Sequence, residues 1–195
     1  MSKLYFRYGA MNSGKSTHLM QVAYNYEERG LRVVLIKPAT DNKGGDKLVS
    51  RLGVTRKVDM IISSEDNIYE MTQENVKEKG KLDCILVDEV QFLKAYQVDQ
   101  LFEIAVKLDI PVICYGLRTD FQMQGFEGST RLLLIAHSIE EMKTICKCGS
   151  KALLNARKIN GKFVFEGKQI VIDNANNVEY ESLCGKCYYK FKEEK

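Results

Sequence analysis

The sequence has little of what marks membrane, secreted or nucleic-acid-binding proteins. None of its apolar stretches approaches the ~20 residues needed to span a bilayer. Because the first apolar run begins directly after Met1-Ser2-Lys3, we expect no signal peptide. Nucleic-acid binders usually carry a marked basic surplus, whereas here 29 basic residues face 26 acidic ones. We therefore expect a cytoplasmic protein with no membrane and no nucleic-acid partner.

Prolines are also scarce, and the rest of the composition is that of an ordinary globular protein. Only Pro38 and Pro111 interrupt the chain, which is 45% hydrophobic and 28% charged. The length of 195 residues allows one substantial domain with a small appendage. Disulfides are rare in the cytoplasm, so the six cysteines require another explanation.

Short apolar runs alternate with amphipathic stretches up to about Ser138. The runs predict strands at Leu4–Tyr8, 31–36, Cys84–Val87 and 111–116, with a weaker candidate at 54–62. The amphipathic stretches predict helices at 15–29, Ile68–Lys79 and Ala95–Lys107. Uniformly apolar strands that alternate with helices are typical of a parallel sheet covered on both faces.

The character of the chain changes after this α/β part. From Ile145 onward it shows no convincing helix and no long apolar run. Asn160-Gly161 predicts a hairpin turn between short strands. We expect two domains, an α/β domain over residues 1–140 and a small, separately stabilised β-rich domain over 141–195.

A complete phosphate-binding loop of the pattern G-x-x-x-x-G-K-[ST] follows the first predicted strand. Its residues are Gly9, Ala10, Met11, Asn12, Ser13, Gly14, Lys15 and Ser16. A strand before the loop and a helix after it would aim main-chain N–H groups and a helix N-terminus at a phosphate. Lys15 is expected to reach the β- and γ-phosphates and Ser16 to bind Mg²⁺. The glycines let the main chain turn and approach the phosphates.

A second motif completes the nucleotide site. The buried run Cys84–Val87 delivers Asp88 and Glu89 at the end of a strand. An acidic residue in this place holds Mg²⁺, here through a water, and the next carboxylate can take a proton from an attacking nucleophile. The two motifs predict phosphoryl transfer from ATP or GTP. They leave the acceptor open, because water would make the chain an NTPase and an alcohol would make it a kinase.

Further residues extend these motifs into a family pattern. Asp-Glu-Val-Gln-Phe stands at 88–92 and Tyr-Gly-Leu-Arg-Thr-Asp-Phe at 115–121. With the phosphate loop and a C-terminal cysteine module, they resemble the cytosolic, zinc-containing (type II) thymidine kinases over nearly the whole chain. The resemblance implies a RecA-like P-loop α/β fold and ATP-dependent phosphorylation of the 5′-hydroxyl of thymidine, and of deoxyuridine.

The resemblance also implies roles for individual residues. Glu89 matches the family's general base, and Lys15, Ser16 and Asp88 match its phosphate and Mg²⁺ residues. Positions around the nucleoside base are matched by Met11, Phe92, Leu117, Phe121, Phe126 and Tyr180. Apolar and aromatic faces suit a planar pyrimidine, although ordinary core packing also accounts for the last three. Arg51 and Arg118 are either phosphate contacts or surface charges, and neither is assigned a catalytic role.

The cysteines fall into two groups. Cys146 and Cys148 form a C-x-C pair and Cys184 and Cys187 a C-x-x-C pair, which together fit a closed, structural Zn²⁺ site. The other two, Cys84 and Cys114, lie inside apolar strands and are interpreted as buried hydrophobic residues. The two histidines, His18 and His137, are interpreted as ordinary helix residues.

The segment between the cysteine pairs resembles the family's lasso-like loop, which covers the bound nucleoside. The sequence departs from the family twice here. A single Lys147 separates the first pair where relatives often have two residues, and 173–177 reads Asp-Asn-Ala-Asn-Asn where relatives commonly carry Gly-Gly. These departures put the main-chain contacts to thymine in question more than the chemistry.

The resemblance further implies a homotetramer, with a homodimer as the smaller alternative. A second hypothesis for function is a RecA-like NTPase module with a zinc-ribbon appendage that binds a partner. That hypothesis leaves the aromatic residues Phe92, Phe121 and Phe126 unexplained.

Overall fold

The computed structural model describes residues 1–40, 45–50, 53–169 and 177–194. The α/β part contains β1 (Leu4–Tyr8), α1 (Lys15–Glu27), β2 (Val33–Pro38), β3 (Lys47–Val49), β4 (Thr55–Lys57), β5 (Met60–Ile62), α2 (Ile68–Lys79), β6 (Cys84–Val87), α3 (Ala95–Lys107), β7 (Val112–Gly116), α4 (Glu127–Ile135) and β8 (Ser138–Glu141). Six of these strands form a sheet in the order β5-β2-β6-β7-β1-β8, and every pairing in it is parallel. Strands β3 and β4 form a separate antiparallel ribbon.

Helices cover both faces of the sheet, as the sequence predicts. Successive side chains of a strand point to opposite faces, and β2 shows the consequence. Its Leu35 packs with Leu19 of α1, whereas Ile36 packs on the other side with residues of α2, α3 and α4 such as Leu101 and Leu132. The predicted α/β parallel sheet is therefore confirmed.

The strand order places the predicted site at one edge of this sheet. Strands β6, β7 and β1 are neighbours and run in the same direction. Their carboxyl ends lead into three loops, which contain residues 88–92, 117–126 and 9–16. Ligands of open α/β sheets bind beyond the carboxyl ends of the strands. All three sequence motifs therefore meet where such a site is expected.

The C-terminal part is small and rich in β-structure. It contains β9 (Thr144–Ile145), β10 (Lys151–Ala152), β11 (Leu154–Ile159), β12 (Lys162–Val164), β13 (Val178–Leu183) and α5 (Gly185–Glu193). Strands β9 and β10 pair with each other, and β11 lies between β12 and β13 in an antiparallel sheet. The predicted hairpin turn is confirmed, with positive φ angles of 50° at Asn160 and 77° at Gly161, as a type I′ turn requires.

One sequence-based prediction about this part is wrong, because α5 is a helix beyond Ile145. Its first turn is held by Cys184, whose side chain accepts a hydrogen bond from the Cys187 N–H. One buried residue, Tyr188, anchors it to the small core. A nine-residue helix is marginal on its own, so tertiary contacts that the sequence does not display stabilise it.

Smaller differences concern element ends and one histidine. The weak strand candidate at 54–62 is two strands, β4 and β5. His137 lies between α4 and β8 rather than in a helix, and its Nδ1 accepts a hydrogen bond from the Leu4 N–H at 3.0 Å.

The predicted division after residue 140 falls inside β8, and the two-domain organisation stays a prediction. Among the described residues, no helix is both long and apolar enough to cross a membrane.

Candidate active site

The phosphate-binding loop adopts the turn that its glycines predict. Gly14 has a φ of 77° and directly precedes α1, a backbone conformation that favours glycine. At Gly9 the constraint is space, because a Cβ there would lie 2.4 Å from the Met142 carbonyl oxygen and from Ser13 Oγ. The loop therefore ends at the N-terminus of a thirteen-residue helix, whose partial positive charge favours anions.

Lys15 is folded over this loop. Its side chain is only 8% exposed. The ammonium group donates to the carbonyl oxygens of Gly9 and Ala10 at 3.0 and 2.9 Å, and to Ser13 Oγ at 3.3 Å. Phosphate oxygens placed in the same loop would offer this ammonium group stronger, charge-assisted hydrogen bonds.

Ser16 and Asp88 meet across the site. The Ser16 hydroxyl donates to Asp88 Oδ2 at 3.3 Å, and the carboxylate is 3% exposed at the end of β6. Octahedral Mg²⁺ with oxygen ligands at about 2.1 Å separates neighbouring ligands by about 3.0 Å. The oxygen donors and their spacing therefore fit a magnesium ion. Ser16 would bind this ion directly, and Asp88 would bind it either directly or through a water.

Glu89 sits beside this pair with an unusual main chain. Its φ and ψ are 48° and 37°, a left-handed conformation that is uncommon for a residue with a side chain. Its carboxylate accepts a hydrogen bond from the amide of Gln91, and the amide oxygen of Gln91 accepts from the Leu117 N–H at 3.0 Å. Gln91 is 2% exposed, so a buried amide joins the predicted base to the end of β7. The sequence analysis missed this role.

The loop after β7 is closed on itself. Thr119 and Gly125 form an antiparallel bridge. Within it, the buried Asp120 accepts from the main-chain N–H groups of Gln122 and Gln124, both at 2.8 Å. This short closed loop carries three of the six residues predicted to surround the base, namely Leu117, Phe121 and Phe126.

The predicted base-contacting residues lie in two groups. Phe92 and Phe126 pack edge to face with ring centres 5.7 Å apart. Phe121 and Tyr180 instead flank the guanidinium of Arg157, which is 3.7 Å from the first ring centre and 5.5 Å from the second. Phe121 and Phe126 are buried, whereas Met11, Phe92, Leu117 and Tyr180 are half-buried.

Asn155 connects the C-terminal part to the phosphate loop. Its side-chain oxygen accepts from the Met11 N–H at 2.8 Å, and its amide nitrogen donates to the Thr119 carbonyl at 3.1 Å. The residue is 3% exposed on β11. Sequence reasoning missed it, because a lone asparagine in a strand carries no recognisable signal.

Of the two arginines considered near the phosphates, one can be placed. Arg118 lies with its guanidinium carbon 5.3 Å from the ring centre of Tyr8, and it lines a small pocket beside Gly9 and Ala10. Arg51 lies outside the described residues.

The four predicted zinc ligands converge. The Sγ atoms of Cys146, Cys148, Cys184 and Cys187 all lie within 4.8 Å of one another, and those of Cys148 and Cys184 are 3.6 Å apart. Tetrahedral zinc with Zn–S bonds of about 2.3 Å requires sulfurs about 3.8 Å apart. The cluster could therefore hold a zinc ion, and the short C-x-C spacing does not prevent this.

Hydrogen bonding changes the acidity of two of these thiols in opposite directions. Bonds from Ser150 lower the pKa of Cys148 to about 6, and bonds with Cys148 and Cys184 raise the pKa of Cys187 to about 12. Metal binding requires these sulfurs as thiolates. In contrast, burial raises the pKa of Cys84 to about 12 and raises that of Cys114 as well. Those two are buried hydrophobic residues, as predicted.

A glycine-rich loop follows the first parallel strand, and its serine is bonded to the acid at the end of β6, which is separated from β1 by β7 alone. This arrangement defines a P-loop nucleotide-binding fold. Comparison with known proteins is more specific. The family model described as thymidine kinase matches residues 2–188. The chain therefore belongs to the thymidine kinase family and is an enzyme of that family.

Curated bacterial relatives agree over almost the full length. A thymidine kinase of Haemophilus influenzae (strain Rd) is 46% identical over 194 residues, which cover 98% of each chain. That of Shewanella oneidensis is 46% identical over 193 residues, again 98% of each chain. The enzyme of Francisella tularensis (strain SCHU S4) is 45% identical over 191 residues, which cover 95% of this chain and 96% of the relative.

Proposed function

We propose that this enzyme transfers the γ-phosphoryl group of ATP to the 5′-hydroxyl of thymidine, and of deoxyuridine, to give the nucleoside monophosphate. Family membership supports the substrate class. The observation that carries the mechanism is the position of Glu89, directly after Asp88, whose carboxylate is bonded to the Ser16 hydroxyl of the phosphate loop. A proton acceptor thus lies next to the place where a triphosphate is held.

The phosphate loop, residues Gly9 to Ser16, is proposed to bind ATP. The N-terminus of α1 would face the phosphates, whereas the Met11 N–H of the loop stays bonded to Asn155. When ATP binds, the Lys15 ammonium exchanges the Gly9 and Ala10 carbonyls for phosphate oxygens. Ser16 and Asp88 would hold Mg²⁺, which when bound neutralises charge on the β- and γ-phosphates.

Glu89 is the proposed general base. An ionised carboxylate accepts protons but cannot donate them, and this one is held by the amide of Gln91. Because the Gln91 oxygen accepts from the Leu117 N–H, its NH₂ group must face Glu89. That arrangement fixes the carboxylate for removal of the proton from the attacking 5′-hydroxyl.

The nucleoside base is proposed to lie against apolar and aromatic side chains. They are Met11, Phe92, Leu117, Phe121, Phe126 and Tyr180. Residues 1–140 would bind ATP, and 141–195 would hold a structural zinc ion on the four cysteines and close over the nucleoside. Most of the stretch at 173–177 that departs from the family lies outside the described residues. The proposal includes a cytoplasmic homotetramer or homodimer, whose size light scattering would measure.

Glu89→Gln tests the central step. We expect nucleotide affinity to stay the same and kcat to fall by about 10² or more, the scale of general-base assistance. Glu103→Gln makes the same change on the exposed side of α3 and should leave kcat unchanged. Near-normal turnover of Glu89→Gln would remove Glu89 from the mechanism.

A coupled assay of ADP formation separates the kinase from the NTPase hypothesis. We expect ATP consumption by the wild-type enzyme to require added thymidine. Hydrolysis at the same rate without nucleoside would favour an NTPase module with a zinc-ribbon appendage.

A further inference from the structure

Arg157 is a buried cation that has no role in the proposed mechanism. It lies on β11 with 2% of its surface exposed, and it is the first of the largest fully buried side chains. Placing a charge in the interior is costly unless its donors are satisfied. Among the described residues, no carboxylate forms an ion pair with it. A buried charge kept without an ion-pair partner calls for a function other than stability.

The donors of this guanidinium connect three segments. Nε donates to the Tyr180 hydroxyl at 3.1 Å, so β11 is joined to β13 through side chains as well as through the sheet. Nη1 and Nη2 donate to the carbonyl oxygens of Lys168 and Gln169, both at 2.8 Å. Lys168 and Gln169 are the last two residues that the structure describes before residue 177. The planar guanidinium of one arginine therefore fixes the main chain a few residues after the end of β12.

The face of the guanidinium reaches the α/β part. Its central carbon lies 3.7 Å from the centre of the Phe121 ring, within the distance of a favourable cation–π contact. Phe121 belongs to the closed loop after β7 and is 1% exposed. Arg157 thus contacts two of the predicted base-contacting rings. The flat face of its guanidinium lies on Phe121, and Nε at the edge of the guanidinium bonds to Tyr180.

We infer that Arg157 is a positioning residue for nucleoside binding. It fixes the Phe121 and Tyr180 rings and the main chain at Lys168 and Gln169 as one wall of the nucleoside site. This inference rests on the proposed function, which places both rings at the base. Only arginine combines several donors in one plane with a flat cationic face, whereas lysine offers a single point charge.

The test compares steady-state kinetics of Arg157→Lys, Tyr180→Phe and the double variant, with thymidine and ATP varied in turn. For Arg157→Lys we expect the KM for thymidine to rise by about tenfold or more, the scale of a lost charged hydrogen bond. The kcat and the KM for ATP should change by less than about threefold. Tyr180→Phe keeps the aromatic ring and loses only the hydrogen bond from Arg157 Nε, so we expect a smaller rise in the KM for thymidine. In the double variant, the KM for thymidine should rise by a smaller factor than the product of the two single-variant factors.

Lys158→Met is the matched control. Lys158 follows on the same strand, pairs with Glu181 and lies 4.6 Å from the ring centre of Phe163. It is thus also a cation on an aromatic ring, but its side chain points to the opposite face of β11. We expect the KM values of this variant for both substrates to match those of the wild type.

A folded, zinc-loaded Arg157→Lys enzyme with a normal KM for thymidine would overturn the inference. Equal loss of affinity for ATP and thymidine would do so too, because it would indicate a general structural role. If Arg157→Lys does not fold, an unchanged KM in Tyr180→Phe has the same consequence. Failure of the proposed function shows differently, as a wild-type enzyme that consumes no ATP in response to thymidine.

Discussion

The two parts of this molecule are stabilised in different ways. Among the residues that the structure describes, the α/β part buries one cluster of nineteen apolar side chains and another of eleven, on opposite faces of its sheet. The described residues of the C-terminal part form a cluster of eight buried residues, and Cys146 and Cys184 are two of them. A core of that size contributes little free energy of folding. The comparison teaches that the second part depends on its cysteine cluster and on the first part.

The junction between the parts lies at the site itself. The Tyr188 hydroxyl donates to the Phe121 carbonyl at 2.6 Å, and Thr144 Oγ1 donates to the Asn12 carbonyl at 3.2 Å. Asn155 adds its two bonds to Met11 and Thr119. Each bond ends on a loop that also carries predicted substrate contacts. The C-terminal part is therefore held by the same loops that are proposed to bind the substrates.

The largest expected effect comes from the proposed zinc site of the C-terminal part. Structural zinc contributes about 10–16 kcal/mol in small domains, so a chelator or Cys184→Ser should unfold the C-terminal part and abolish nucleoside phosphorylation. ATP affinity, measured with a fluorescent analogue, should survive because the phosphate loop lies in the other part. Cys84→Ala serves as control and should keep one zinc per chain by mass spectrometry. Full activity of a metal-free enzyme would show that the two parts do not differ in this way.

A smaller effect is expected at the junction. Asn155→Ala leaves the Met11 N–H and the Thr119 carbonyl without their side-chain partner, at a cost of about 1–3 kcal/mol for each unsatisfied buried group. Calorimetry should show a lower Tm. Tyr188→Phe removes one bond, and its Tm should fall less. An unchanged Tm in both variants would mean that the parts are independently stable.

The smallest effect is a difference in thiol reactivity between the cysteines of the two parts. The thiolate is the reactive form. Since burial raises the pKa of Cys84 to about 12 and also raises that of Cys114, both stay protonated at pH 8. Iodoacetamide should therefore modify four cysteines of the chelated enzyme and all six only in denaturant, as intact mass will show. Modification of five or six before denaturation would contradict the buried state of these two strands.

Sequence reasoning succeeded where the signal is local. The bounds of α2, α3 and β6 follow from apolar periodicity within each segment. It did less well where neighbours decide the structure. Strand β8 has the sequence Ser-Ile-Glu-Glu and is mostly exposed at the sheet edge. It therefore contains no apolar run from which a strand could be predicted. Helix α5 is defined by a cysteine cap and one tyrosine.

The site divides in the same manner. The phosphate loop and the acidic pair are contiguous motifs, and their residues meet as expected, with Ser16 bonded to Asp88. In contrast, Gln91, Asn155 and Arg157 act through partners distant in sequence or through main-chain atoms. A single sequence offers no pattern for such contacts. They are visible only once the fold has brought the segments together.

The position of β1 in the sheet has a consequence for biosynthesis. This strand is made first, yet its neighbours are β7, more than a hundred residues later, and β8. Pairings of such long range are slow to form. A nascent chain that has not yet exposed residue 112 outside the ribosome holds its phosphate loop on a strand without neighbours. We therefore expect nucleotide to bind only after β7 has been translated, and not to assist the earlier stages of folding.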